Sequence, residues 1–286
     1  TAPTIDKIVF TGGNLEGKLD LSTGDYGFYF KEATYCDVYV SDNGVSSGLS
    51  EVNVSYAPVG KDAYEKQYVI TDGVARIEIP QDFKGKLSFN AFDNVDNISL
   101  EVVPDGVITE SNTTFVNNTY ITITTPGTNK VDANGISLYN SDQGLSATVV
   151  SNYAGIKTVE WGINDQTKGT VNISNNGTIS GDSANVSKKD KNLVIDLSKG
   201  LGISENMNNI KVWVKVTDRA GYVSEASKTI SIDKDVPIVN VSYNQTNSSS
   251  YYSTTRTASI HIKERNFDPS LVNISGKLGS LSGWSS

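Results

Sequence analysis

A chain of 286 residues has room for two or three domains of ordinary size, and 37% hydrophobic content suits thin two-layer modules better than one large core. The net charge of −8 repels a phosphate backbone, which argues against nucleic acid as a partner, and no apolar stretch approaches the ~20 residues that cross a bilayer as a helix. With a single cysteine, Cys36, no intrachain disulfide can form, a usage that fits exported bacterial proteins better than secreted eukaryotic modules.

Strand signals dominate from the first residues. Pro3 opens an alternating run, Thr4 to Phe10, because proline sits at a strand start without removing a ladder bond. Cys36 to Asp42 alternates with period two, which puts Cys36, Val38 and Val40 inward and Tyr35, Asp37 and Tyr39 outward. Asn43-Gly44 marks a turn, and Gly48 to Val54 reads as a central strand. Tyr68 to Thr71, then Asp72-Gly73, then Val74 to Ile79 is predicted as a hairpin with a type I′ turn. Lys86 to Asn97 is a further strand ending in Asp93 and a polar turn.

Val103 to Gly106 reads as a junction. Beyond Asn134-Gly135, another turn, Gly155 to Trp161 repeats the pattern of Gly48 to Val54 and places Trp161 in a core. A second hairpin is predicted from Val171 to Ser180 around Asn175-Asn176-Gly177, and the polar run from Ser180 to Lys191 reads as a loop. Lys211 to Tyr222 repeats Lys86 to Asn97 at an interval of 125 residues, too long for a small solenoid repeat and right for an independent domain. In the two copies Leu87, Phe89 and Ala91 match Val212, Val214 and Val216 as inward positions. Ile230 to Ile232 closes that domain, Asp233 to Pro237 is a short linker, and Pro237 to Tyr243 restates the opening strand. Ala258 to Glu264 then matches Cys36 to Asp42.

These phrases resemble the tandem immunoglobulin-like domains of large Gram-positive bacterial surface and secreted proteins. The resemblance rests on the linker Asp233-Lys234-Asp235-Val236-Pro237, on Val216 to Tyr222 as a "TDxAGN"-type strand end, on Arg256 to Pro269, and on Leu281 to Trp284. The chain departs from the pattern at Tyr222 and at Val95-Asp96, where the family carries Asn and Ala-Gly. The family implies stalks and adhesins at the cell surface, some appended to secreted enzymes, and some that bind host glycans or immunoglobulins.

Candidate chemistry is sparse. Gly44 to Gly48 satisfies G-x-S-x-G, but a nucleophile elbow needs a strand-to-helix turn and a histidine base, and the one histidine, His261, falls in another domain. His261 reads as a solvated strand residue and Cys36 as a buried, inert thiol. Asp218, Asp233 and Asp235 are hard oxygen ligands near one linker and are the only Ca²⁺ candidates, although Asp is also an ordinary turn residue; no metal or other cofactor is assigned. Tyr35, Tyr39 and an outward Trp213 are the candidate ligand contacts, because exposed aromatic rings stack on sugars and anchor protein partners. Asn-x-Ser/Thr sequons such as those at Asn112 and Asn247 follow from composition and imply nothing.

The sequence therefore predicts an all-β chain of tandem immunoglobulin-like β-sandwiches at residues 1–104 and 105–235, with a partial third at 236–286. The expected role is a non-catalytic, extracellular stalk and binding region of a bacterial surface protein, monomeric, not membrane-inserted, with a host glycan or a host protein such as an immunoglobulin as partner. The competing expectations are accessory modules of a secreted, carbohydrate-active enzyme and a dedicated host-protein binder. The opening Thr1-Ala2-Pro3 reads as mid-phrase, an excerpt of something longer.

Overall fold

The computed structural model describes residues 1–11, 26–44, 47–109, 119–127, 130–132, 134–151, 154–189, 192–244 and 254–275. The sequons at Asn112 and Asn247, the Leu281 to Trp284 phrase and Ser46 of the G-x-S-x-G match lie outside these residues. The chain is all-β and of sandwich type. The first unit contains β1 (Thr4–Thr11), β2 (Tyr26–Phe30), β3 (Thr34–Ser41), β4 (Leu49–Pro58), β5 (Tyr64–Val69), β6 (Val74–Ile79), β7 (Lys84–Asp93) and β8 (Gly106–Thr109). They form a sheet β1-β3-β6 facing a sheet β2-β8-β7-β4-β5. Alternation on both inner faces builds the core: Cys36, Val38 and Ile77 from one sheet meet Val52, Val54, Leu87, Phe89 and Ala91 from the other. Each large apolar side chain buried there contributes about 1.5–3 kcal/mol.

The second unit repeats this plan. It runs through β9 (Thr119–Thr124), β10 (Leu138–Tyr139), β11 (Ser146–Ser151), β12 (Ile156–Ile163), β13 (Gln166–Ile173), β14 (Ile179–Gly181), β15 (Val186–Lys189), β16 (Asn192–Asp196), the one-turn helix α1 (Leu197–Gly200), β17 (Met207–Asp218) and β18 (Val223–Ile232). The sheets are β15-β16-β11-β9 and β10-β18-β17-β12-β13-β14. Strand for strand, β9, β11 and β16 stand where β1, β3 and β6 stand, and β10, β18, β17, β12 and β13 stand where β2, β8, β7, β4 and β5 stand. In both units the second strand leaves the first strand's sheet and pairs parallel with the last strand. The predicted Gly48–Gly155 correspondence is local as well as global. Both glycines have positive φ, 87° and 86°, and in both units a bulge follows directly, between Leu49 and Glu51 and between Ile156 and Thr158.

Three expectations change. Residues 106–109 belong to the first sandwich, not the second: β8 pairs with β2 and β7, Val107 is fully buried, and the Thr109 hydroxyl is tied to Pro80 O and Phe83 N. Pro104 read as a linker because proline so often marks one, yet here it is buried ahead of a last strand. The Asp72-Gly73 turn is the expected type I′, with φ of 49° and 77°, but it joins strands that separate at once, β5 into the sheet of β4 and β6 into the sheet of β3. The polar run after Ser180 is not all loop. It holds a 3-10 turn at Ser183–Asn185 and then β15, an edge strand whose pairing to β16 is backbone-made, with Val186 packed against the core and Ser187, Lys188 and Lys189 exposed.

Among the described residues the third segment contributes β19 (Ile238–Tyr243) and β20 (Ala258–Lys263), an antiparallel pair, and a 3-10 turn at Pro269–Leu271. Val239, Val241, Ile260 and Ile262 share one face of this pair, and none of them is buried.

Candidate ligand-binding face

Tyr35 and Tyr39 stand on the outer face of β3 with Asp37 between them. The register sets Val9 of β1 and Arg76 of β6 on either side of Asp37, Lys7 and Val74 beside Tyr39, and Glu78 beside Tyr35. Arg76 grips Asp37 with two parallel bonds, Nε to Oδ1 at 2.8 Å and Nη2 to Oδ2 at 2.9 Å. The hydrogen bond and charge of Arg76 hold the Asp37 carboxyl below the usual carboxylate range against the opposing effect of burial. The Lys7 ammonium lies 4.1 Å from the Tyr39 ring centroid and the Arg76 guanidinium 6.0 Å from that of Tyr35. Tyr35 is 49% exposed, Tyr39 half-buried. Lys7 and Arg76 were not singled out by sequence reasoning, because the cross-strand register that brings them to β3 spans long loops.

Trp213 is outward as expected, flanked by the Lys211–Glu225 and Lys215–Glu160 ion pairs. Its ring, however, is spent on the fold. It lies across Gly162, its register partner on β12, where an added Cβ would fall 2.5 Å from the ring, and its indole N–H donates to Asn164 O at 2.8 Å. Trp161 makes the inward counterpart, seated on Gly169 of β13 with its N–H on Gly200 O at 3.1 Å. Two cross-strand Trp–Gly pairs thus cap opposite faces of one sheet.

The three aspartates considered for calcium are not brought together. Asp218 ends β17 and Asp233 follows β18, so the ten residues of β18, about 33 Å of strand, lie between them. Asp218 closes its own hairpin by accepting Tyr222 N at 2.8 Å, as Asp93 accepts Asn97 N and Asp132 accepts Ile136 N. Each of these loops has its left-handed residue at the fourth position, Gly221 and Gly135 in two and Asp96, at φ 63°, in the other. Burial pushes the Asp93 carboxyl upward, but bonds from Asn97, Val95 and Ser47 outweigh it and bring the pKa to about 2. Asp233 accepts from Asn266 Nδ2 at 2.6 Å, a bond to the third segment that Arg265 Nη1 to Asn206 O supplements at 3.2 Å. Asp235 is exposed and lines, with Asp233, Tyr139, Val239 and Phe267, a cleft of about 640 Å³ beside the third segment.

His261 is exposed on β20, and Cys36 is fully buried, its thiol pushed far up by burial and then by the Asp37 charge. Sequence reasoning did not anticipate the joint between the first two sandwiches. Tyr29 of β2 and Ile108 of β8 meet Ala154 and Ala220 in a separate small core, with Tyr26 and Tyr222 packed against it. The Tyr222 hydroxyl donates to Lys31 O at 2.7 Å, and the Arg219 guanidinium lies 5.9 Å from the Tyr29 ring while donating to Ile173 O and Ser174 O. Tyr222 is therefore a joint residue.

No family model matches the chain, and no curated protein matches it. Among solved structures it is similar to a tetra-tandem repeat in the extending region of a large adhesion protein, at 11% identity over 93% of this chain and a TM-score of 0.32. It is also similar to dimeric latent PorU from Porphyromonas gingivalis, at 11% identity over 91% of this chain and a TM-score of 0.28. Native α-L-rhamnosidase from Aspergillus terreus is similar at 15% identity over 80% of this chain and a TM-score of 0.31. The chain spans 63%, 26% and 30% of the length of these three chains, respectively.

Proposed function

We propose that the chain is an extracellular, non-catalytic array of immunoglobulin-like modules from a bacterial surface protein, a spacer that also presents a binding face. The strand order supports the module assignment. A parallel pairing of the second and last strands, a central strand bearing a buried Trp161, and sheets that separate after the turn at Asp72-Gly73 are features of immunoglobulin-type sandwiches. The observation that carries the spacer role is the joint of Tyr29, Ile108, Ala154 and Ala220. Units free to swivel have no use for buried side chains between them, and a presented face needs a defined direction.

The lowered carboxylates Asp37, Asp93, Asp132, Asp196 and Asp268 are all held by hydrogen bonds that close their own turns, cap a helix or join strands, which are structural uses of these groups. Small-angle scattering of the full chain tests the spacer. One fixed arrangement of the first two sandwiches is expected to fit the profile, and Ala220→Asp with Tyr222→Ser is expected to broaden the distance distribution. A wild-type profile that requires a wide ensemble between these two units sinks the reading. Location is checked by brief proteolysis of intact source cells: released peptides from this chain are expected, and their confinement to the lysate would place it elsewhere.

A further inference from the structure

We infer that the outer face of the β1-β3-β6 sheet is a platform for a neutral oligosaccharide, with Tyr35 and Tyr39 as stacking rings and the Arg76–Asp37 pair between them as the hydroxyl-binding centre. The inference rests on the binding face of the proposed function and assigns its ligand class.

The layout of the face selects the ligand. Tyr35 and Tyr39 are four residues apart on one strand, about 13 Å, longer than a single sugar ring and suited to a short chain laid along β3. Strand alternation fixes both rings on the same side, because Cys36, Val38 and Val40 fill the core behind them. Between the rings sits a planar charged pair. Among the described residues Arg76 uses Nε and Nη2 on Asp37, and Nη1 donates to none of them; the arginine side chain is 65% exposed. Arg76 presents an exposed donor edge to a ligand hydroxyl, while Asp37, whose side chain is only 10% exposed and whose two oxygens both accept from Arg76, holds the guanidinium in place.

Two other ligand classes fit worse. An anionic polymer requires cations in excess, and here Lys7 and Arg76 are matched by Asp37 and Glu78, with Lys7 laid on the Tyr39 ring. A protein hot spot has an apolar centre and a charged rim. This face has a mixed centre, Val9, Asp37 and Arg76 in one row, and each ring is paired with a charge at its end, Lys7 beside Tyr39 and Glu78 beside Tyr35, so apolar and polar groups alternate along β3 as C–H faces and hydroxyls do along a sugar chain. The second sandwich supplies an internal contrast. On its matching sheet, Thr148 of β11 lies between Thr122 of β9 and Val194 of β16, so the charged pair is absent there.

The test uses the full chain against a panel of maltohexaose, cellohexaose, xylohexaose, laminarihexaose and N-acetylchitohexaose, with heparin as an anionic arm and a serum pull-down as a protein arm. At least one neutral hexasaccharide is expected to bind. Tyr35→Ala and Tyr39→Ala are each expected to weaken it tenfold or more, with Tyr120→Ala on the second sandwich unchanged and thermal midpoints of all variants preserved. Arg76→Lys, which keeps the charge but loses the fork, is expected to weaken binding by several-fold. Neutral binding that survives the Tyr35→Ala/Tyr39→Ala double variant overturns the site. Binding of heparin alone, or of a serum protein through the same tyrosines, overturns the ligand class while leaving the face a binding face. No binding in any arm overturns both and leaves the spacer role to stand or fall by scattering.

Discussion

Gly169→Ala probes the packing of the second sandwich most directly. Gly169 is paired across the sheet with Trp161, and a Cβ added to it would lie 2.1 Å from Trp161 Cζ2 and 2.4 Å from Cε2. The ring must retreat by more than an ångström to restore contact distance, yet Trp161 is fully buried and Gly200 stands 2.7 Å from its Nε1 by the same measure. Overpacking of this kind costs about 1–3 kcal/mol, and loss of the Trp161–Gly200 hydrogen bond adds about 1 kcal/mol, for a total of about 2–4 kcal/mol. In scanning calorimetry the transition of the second sandwich is expected to fall by about 10 °C while that of the first stays in place. Gly127→Ala, where an added Cβ meets nothing within 4 Å, is the matched control. A shift for Gly169→Ala no larger than the control's would refute the packing argument. Trp161→Phe in the Gly169→Ala background should recover part of the loss, because the clashing atoms belong to the indole's outer ring.

Four further outcomes are expected. Asp93 has a folded pKa of about 2, below its unfolded value near 3.9, so its contribution is complete above about pH 4 and disappears as pH falls towards 2; Asp93→Asn should flatten acid unfolding of the first sandwich in that window. Arg219→Ala should cost the second sandwich about 2–4 kcal/mol by orphaning Ile173 O and Ser174 O, and hydrogen exchange should rise in the Ser174–Thr178 turn. Iodoacetamide at pH 8 should leave Cys36 unmodified in the folded chain and label it in denaturant; labelling of native protein would contradict its full burial. Trp213→Ala should expose Gly162 and destabilise the second sandwich, whereas binding to the first should not change.

The repeated strand Lys86 to Asp93 and Lys211 to Asp218 was legible because period-two alternation and the closing aspartate are both local signals. The same holds for the Gly48–Gly155 match and the Asp72-Gly73 turn. What local pattern does not contain is which sheet a strand joins, and so the two strands flanking Asp72-Gly73 read as a hairpin partnership they do not keep. β8 was missed because a four-residue strand behind a buried Pro104 has too few positions to show a period. For the binding face, Tyr35 and Tyr39 were visible on one strand, but Arg76 and Lys7 reach them only through pairing with β6 and β1. Trp213 looked free because the glycine that receives it, Gly162, is on another strand.

The parallel pairing of each sandwich's second and last strands has a mechanical consequence. In an array pulled from its two ends, tension that reaches the second strand draws it one way and the departing strand the other, so the bonds between them slide in shear and must fail together rather than open one at a time. Among the described residues the first sandwich has four such registered pairs, Tyr26 to Phe30 against Gly106 to Thr109, whereas the second has two, Leu138 and Tyr139 against Ser231 and Ile232. Under tension the second sandwich is thus the weaker link, and the first, which carries the tyrosine face, keeps its shape after the second has begun to lengthen.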